Sequence, residues 1–323
     1  MLKRKTLKIL DWSVHSPHQY ELSKLGHNHF FLREGQRYPW NWKMRPCPKN
    51  FYFIGECDPS KFDLIIAHNP HHLKIISEWK NKGVLDTRVP LVYMFHFSSR
   101  DEVMKQSMRR MLGDYAIIFN SYSNQLDWGL SNRLQRTIIH GFDIDDWPQW
   151  QGGINGVLNI AGAMKSRSNV TGYDLWKSVG ERIGYEKFFL MGGYGVSSLK
   201  PWMEGRVRES ENWDDLKQTM QSTDVYFSPT KDSPFPRARS EAFVTGMPMV
   251  CTTFHDSNIY IQHEINAFRA ESSDECVYYI NLLLQDKDLR IKFSNRARET
   301  AREVLSGERY RKEWCDFLDE VLS

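Results

Sequence analysis

Asp224-Val-Tyr-Phe-Ser-Pro-Thr-Lys-Asp-Ser-Pro-Phe-Pro-Arg-Ala-Arg-Ser-Glu241-Ala-Phe-Val-Thr-Gly-Met-Pro-Met-Val250 reads as strand, loop, helix, strand. Val225, Tyr226 and Phe227 are β-formers, closed by the turn signal Ser228-Pro229. Pro236 suits the first turn of a helix, where its missing N–H costs nothing. Gly246 followed by Pro248 stops that helix. Met249, Val250 and Cys251 begin another buried strand.

This order puts a helix N-terminus at the carboxyl end of a parallel strand. Such a terminus offers backbone N–H groups and partial positive charge, and so attracts phosphate. Arg237 and Arg239, in the first turns, would add to that attraction. Glu241 lies about a turn and a half in. There it can accept hydrogen bonds from a ribose diol, as an acidic residue does in dinucleotide folds. The same residues also read as an ordinary αβ unit with a solvated Arg/Glu face.

Outward from this stretch, 323 residues allow two domains of ordinary size. A balance of 43 basic to 40 acidic residues gives no strong global field and does not by itself suggest nucleic acid. Cys47, Cys57, Cys251, Cys276 and Cys315 are scattered, with no CxxC pair and no zinc-ligand spacing. An odd, sparse set fits a reducing cytoplasm. No apolar region follows the basic start Met-Leu-Lys-Arg-Lys, so a signal peptide is not expected. No apolar run approaches the roughly 18 residues of a membrane span. A cytoplasmic protein, with peripheral membrane contact left open, is the expectation.

In the amino-terminal half, strands are expected at Leu7–Trp12, His29–Leu32, Phe62–His68, Pro90–His96 and Tyr115–Phe119, and helices at Gln19–Leu25, His71–Lys82 and Asp101–Leu112. Loops after the carboxyl ends of parallel strands form the crevice of a doubly wound sheet. That rule makes His15, Ser16 and His18 candidate acceptor-side groups, with Ser16 equally suited to cap a helix. Arg33 to Asn50 is irregular, with three prolines and Arg33, Arg37, Lys43, Arg45 and Lys49 set against Glu34. It suits an anionic acceptor, lipid phosphate or a nucleic-acid backbone. It also suits a surface loop whose Trp40 and Trp42 cover a core edge.

In the carboxyl-terminal half, Pro148 to Gly156 reads as linker and Val157–Ala161 as the first strand. Phe188 to Gly195 is a strand entering a Gly-rich turn. Trp213–Met220 is a short helix with Asn212 as its cap. Asp274–Leu284, Lys287–Val304 and Tyr310–Leu322 read as helices.

The stretch Glu241-Ala-Phe-Val-Thr-Gly-Met-Pro resembles the second half of the donor-site motif of retaining family 4 glycosyltransferases, which have the GT-B fold. That motif is Glu, seven residues, Glu. Phe235 falls where the family has Phe. The first Glu falls on Ser233, and Asp232, one position earlier, is its candidate stand-in. Thr137-Ile-Ile-His-Gly-Phe-Asp-Ile-Asp-Asp-Trp147 resembles the family's interdomain signature, with Gly141, Phe142, Asp143 and Trp147 fitting and His140 replacing Asn.

The resemblance implies an α/β protein with two Rossmann-like domains facing across a cleft. The expected division is an acceptor-side domain over 1–148, a donor domain over 149–305, and a last helix over 306–323 crossing back to the first domain. It implies retaining, metal-independent transfer of a sugar from a nucleotide sugar to a glycan, lipid-linked or other hydroxyl acceptor, with no cofactor. Lys165 and Arg167 are displaced from the family's cation positions but lie in the same loop, where they would bind the donor diphosphate. Gly193 would approach the base. Ser233, Phe235, Arg237 and Glu241 would hold the rest of the donor. His96, at a strand end, would stand with Asp232 near the sugar and the acceptor hydroxyl. Two other functions fit the sequence: a nucleotide- or glycan-binding protein without transfer, and transfer to nucleic acid through the basic loop.

Overall fold

The computed structural model describes residues 5–36, 39–99, 101–130, 134–192 and 207–323. The chain forms two compact units, Met1–Gly141 with Glu308–Ser323, and Phe142–Gly307. The first boundary thus falls at 141/142, seven residues before the expected 148/149.

The amino-terminal unit is built on a sheet in which all strands run parallel, in the order β3-β2-β1-β4-β5-β6-β7. The strands are β1 (Lys8–Asp11), β2 (Asn28–Leu32), β3 (Phe51–Ile54), β4 (Leu64–Ala67), β5 (Leu91–Phe95), β6 (Ala116–Phe119) and β7 (Gln135–Thr137). The strand runs of β4, β5 and β6 are almost wholly apolar and buried on both faces, as a helix-covered parallel sheet requires. The helices are α1 (Ser16–Ser23), α2 (Pro70–Asn81), α3 (Glu102–Leu112) and α4 (Tyr122–Trp128). Asn69 caps α2 and Asp101 caps α3, each accepting two backbone N–H groups.

The helix α1 begins three residues before the expected Gln19. Pro17 fits its first turn, and the cap is His15, whose side chain accepts from the His18 N–H. Ser16 is therefore inside the helix rather than its cap, and its Oγ accepts from the Asn41 N–H at 2.8 Å. In the basic loop, Trp40 is buried and Trp42 exposed. Arg45 is buried too, so it adds nothing to a surface charge there. Arg37 lies outside the described residues.

The carboxyl-terminal unit has a second all-parallel sheet, in the order β10-β9-β8-β11-β12-β13. Its strands are β8 (Ile154–Ile160), β9 (Phe188–Gly192), β10 (Val207–Glu209), β11 (Thr223–Ser228), β12 (Met249–Thr252) and β13 (Phe268–Ala270). Its helices are α5 (Ser168–Thr171), α6 (Tyr173–Ile183), α7 (Trp213–Ser222), α8 (Arg237–Thr245), α9 (Ser273–Gln285) and α10 (Lys287–Val304). The expected linker is packed structure. Trp150 is buried, its backbone N–H donating to the Thr245 carbonyl and its indole to the Thr223 carbonyl.

The last helix, α11 (Gly307–Leu322), puts Tyr310, Trp314, Phe317 and Leu318 into a core with Ile9, Leu64, Ile66 and Met94 of the amino-terminal unit. No described helix is long and apolar enough to cross a membrane.

Candidate functional site

In an open parallel sheet, ligands bind where the strand order reverses, outside the carboxyl ends of the strands. Each unit has such a point: between β1 and β4 in the first, and between β8 and β11 in the second.

In the carboxyl-terminal unit, β8 runs into the 161–172 loop and β11 into the 229–236 loop. The two loops are tied together. The backbone N–H groups of Lys231 and Asp232 donate to the Val170 carbonyl at 2.9 and 3.2 Å. Gly172 has a φ of +76°, and a Cβ there would collide with the Pro229 carbonyl oxygen. Only glycine meets both demands at low cost. Thr171 Oγ1 donates to the carbonyls of Met164 at 2.6 Å and Arg167 at 3.0 Å, which folds the loop on itself. Lys165 and Arg167 are exposed on it.

The helix α8 starts after Pro236, which sits just before it, and no side chain caps its N-terminus. Its first-turn N–H groups thus keep their polarity at the end of β11. Gly246, in the left-handed conformation, ends it. Arg237 and Glu241, one turn apart, form a buried ion pair with Arg237 Nε donating to Glu241 Oε1 at 2.9 Å. The Arg237 guanidinium also lies 4.6 Å from the centre of the Phe142 ring. Arg239 is 1% exposed, and its Nε donates to the Tyr260 hydroxyl at 2.9 Å. It faces the interior and is not a surface cation, contrary to its expected role in attracting phosphate.

Phe235 is buried 5.5 Å from the Tyr260 ring centre, and Phe243 meets the same Tyr260 ring edge-on. Ser233 is partly buried in the loop before it. Asp232 pairs with His255, Oδ1 to Nε2 at 2.9 Å. His255 itself has a φ of +50°, in the left-handed region that side chains rarely adopt. Gly193 lies outside the described residues.

In the amino-terminal unit the strand ends converge on a buried polar cluster. Asp11 ends β1, while His68 follows β4 and His96 follows β5. His68 Nε2 lies 2.7 Å from Asp11 Oδ1, and His68 Nδ1 lies 2.9 Å from His96 Nε2. His29 Nδ1 lies 3.1 Å from Asp11 Oδ2. Asp11 also accepts the Trp12 N–H at 2.7 Å and lies 3.4 Å from the Gln19 amide. Burial alone would raise the Asp11 carboxyl, but the charge and hydrogen bonds of His68 and His29 take it well below the usual carboxylate range. His96 is held well below its ordinary value by burial and then by His68 and His15. His72 stacks on Trp12 with 4.3 Å between ring centres. Burial, and after it the charge of His68, pushes His72 down to about 3.

Of the candidate acceptor-side groups, His18 is buried edge-on to His96 with 5.6 Å between ring centres. His15 is the cap of α1, and Ser16 ties the 39–41 chain to that helix.

Residues 206–300 match the family described as glycosyl transferases group 1, so the carboxyl-terminal unit carries the domain of a transferase. A comparison with curated protein sequences returns no match. Among solved structures, the Anabaena protein HepE in complex with UDP has a TM-score of 0.71 at 17% identity, over 98% of this chain and 100% of that one. A glycosyltransferase from Rickettsia africae has a TM-score of 0.67 at 14% identity, covering 99% of each chain. Sucrose-phosphate synthase from Thermosynechococcus elongatus has a TM-score of 0.71 at 12% identity, over 98% and 99%.

The fold is GT-B.

Within this GT-B chain, sequence reasoning singled out His96 but missed its companions Asp11, His29 and His68. For Asp11 and His68 the signal was present. Ile-Leu-Asp11, Ile-Ile-Ala-His68 and Tyr-Met-Phe-His96 each end an apolar strand with a titratable residue. Such a residue at a carboxyl strand end is either a partnered polar group or part of a site.

Proposed function

We propose that this chain transfers a sugar from a nucleoside diphosphate sugar to an acceptor hydroxyl, with retention and without a bound metal. The observation that carries the reading is the paired-loop platform at the β8/β11 reversal. There the uncapped N-terminus of α8 follows the 229–236 loop, and two exposed cations, Lys165 and Arg167, lie on the loop tied to it. That arrangement suits a diphosphate. Its negative charge grows as the bond from the anomeric carbon to the phosphate oxygen breaks. Lys165 as a point charge, Arg167 as a fork and the α8 N–H groups would meet that charge, each gaining most in the transition state.

Glu241 would accept the ribose hydroxyls, its rotamer held by Arg237. Asp232, braced by His255, and Ser233 would contact the transferred sugar where the family's first Glu does. His96 would stand near the acceptor hydroxyl. Uridine is the nucleotide to test first, because the similar HepE is known in complexes with UDP and UDP-glucose. The resemblance of Glu241-Ala-Phe-Val-Thr-Gly-Met-Pro to the retaining family supports retention.

The test is a thermal-shift screen against UDP, GDP, ADP, CMP and their sugars, run in EDTA. A ligand that binds only the native state raises the melting temperature by mass action. A shift with one nucleotide series, followed by release of that nucleotide in the presence of acceptors, is the expected result. No shift with any nucleotide or sugar would sink the reading.

A further inference from the structure

The cluster at the β1/β4 reversal holds a chain of hydrogen bonds with only one consistent proton placement once Asp11 is ionised and His68 carries a single proton; a doubly protonated His68 would instead donate to His96 Nε2 and leave the His96 proton on Nδ1. Its carboxylate faces the Trp12 N–H, the Gln19 amide, a His29 nitrogen and a His68 nitrogen, and all of them serve as donors. A carboxylate so surrounded acts as acceptor only. His68 then carries its proton on Nε2, toward Asp11, and presents a lone pair on Nδ1. That lone pair lies 2.9 Å from His96 Nε2, so His96 must carry its proton there. The remaining nitrogen of His96, Nδ1, is left as an acceptor and makes no hydrogen bond among the described residues.

We propose that Asp11 and His68 are positioning residues that hold His96 as the Nε2-protonated tautomer, so that its Nδ1 accepts a hydrogen bond from a substrate hydroxyl. This deepens, and rests on, the glycosyl-transfer reading above. The burial of the pair supports it: Asp11 is 0% and His68 3% exposed, which keeps water from competing for their protons. The depressed affinity of His96 for a second proton agrees with a neutral ring. A fixed tautomer matters because the wrong one would present an N–H donor to the hydroxyl hydrogen. The hydroxyl recognised could belong to the acceptor or to the transferred sugar. The chemistry is the same for both.

Nitrogen-15 ring shifts of the histidine-labelled, full-length protein at neutral pH test this directly. The expected pattern for His96 is protonated Nε2 and unprotonated Nδ1, without any substrate. A proton on His96 Nδ1, or a mixture of tautomers, overturns the proposal. Steady-state kinetics add a second readout. His68→Phe removes the acceptor for His96 and is expected to lower kcat at least about tenfold while UDP affinity stays unchanged; a raised donor KM assigns the hydroxyl to the transferred sugar and a raised acceptor KM assigns it to the acceptor. His68→Gln can still accept from His96 Nε2 through its amide oxygen, and should recover part of that loss. An unchanged kcat in His68→Phe overturns the positioning role. The expected tautomer in a wild-type protein that releases nucleotide from no donor sugar overturns the glycosyl-transfer reading and the substrate role of His96, but not the hydrogen-bond chain.

Discussion

Glu241 is held by a salt bridge from Arg237, one turn back along its own helix, so its carboxylate is oriented and buried before any ligand arrives. Glu241→Ala should weaken nucleotide binding roughly 10- to 100-fold, the range expected for losing hydrogen bonds to a charged group. Calorimetry with the cognate nucleotide checks this, and an unchanged affinity would remove Glu241 from the donor site. His72 bears on stability instead. Its pKa in the fold lies at about 3, below the ordinary 6.5 of the unfolded chain. Between those values the unfolded state binds the extra proton, so the contribution of His72 is present above about 6.5 and is lost as pH falls toward 3. His72→Phe should therefore narrow its stability difference from the wild type by about 1 to 2 kcal/mol between pH 7 and pH 5. Denaturant melts at both pH values measure it. At this scale the sequence was only partly legible. Glu241 and His96 stand out through motif and strand-end position. The inward turn of Arg239 and the burial of Arg45 do not, because each depends on a partner far along the chain or on the path of an irregular loop.

The loops at the β8/β11 reversal show what an element adds. Gly172 is where the cation-bearing loop touches the 229–236 loop, and its conformation and contact both exclude a side chain. Gly172→Ala should lower stability by at least about 1 kcal/mol and also weaken the UDP-induced thermal shift, since Lys165 and Arg167 depend on that loop. A full shift at reduced stability would detach the loop from donor binding. The strand-loop-helix-strand order around Glu241 was readable because its punctuation is local: Ser-Pro before, Gly and Pro after. Helix α10 was readable to the residue for the same reason. β3, β7 and β10 went unread. β7 and β10 are short edge strands of mixed polarity, where pairing with a neighbour rather than periodicity defines them, whereas β3, Phe-Tyr-Phe-Ile, is a short apolar edge run whose signal was present. Helix α6 was missed despite buried Trp176, Val179 and Ile183 at helical spacing, a signal present and passed over.

Across the whole molecule, the amino-terminal unit contains residues from both ends of the chain, while Phe142–Gly307 is continuous. Trp314 is 1% exposed in the core shared by α11 with β1, β4 and β5. Trp314→Ala should cost about 3 to 5 kcal/mol, the usual range for removing a buried aromatic ring. Chemical denaturation reads this. A loss below 1 kcal/mol would mean that α11 is not integral to that core. The continuity of one unit and the interruption of the other set an order of events on the ribosome. Domains generally fold as units while the chain is still emerging. Here the first-made sheet must wait, with the face that α11 will cover still open, until the second unit and then Tyr310 to Leu318 have left the exit tunnel. Of the two units, the one made first is therefore the one that finishes folding last. During that interval the apolar face of Ile9, Leu64, Ile66 and Met94 lacks the helix that covers it in the finished fold.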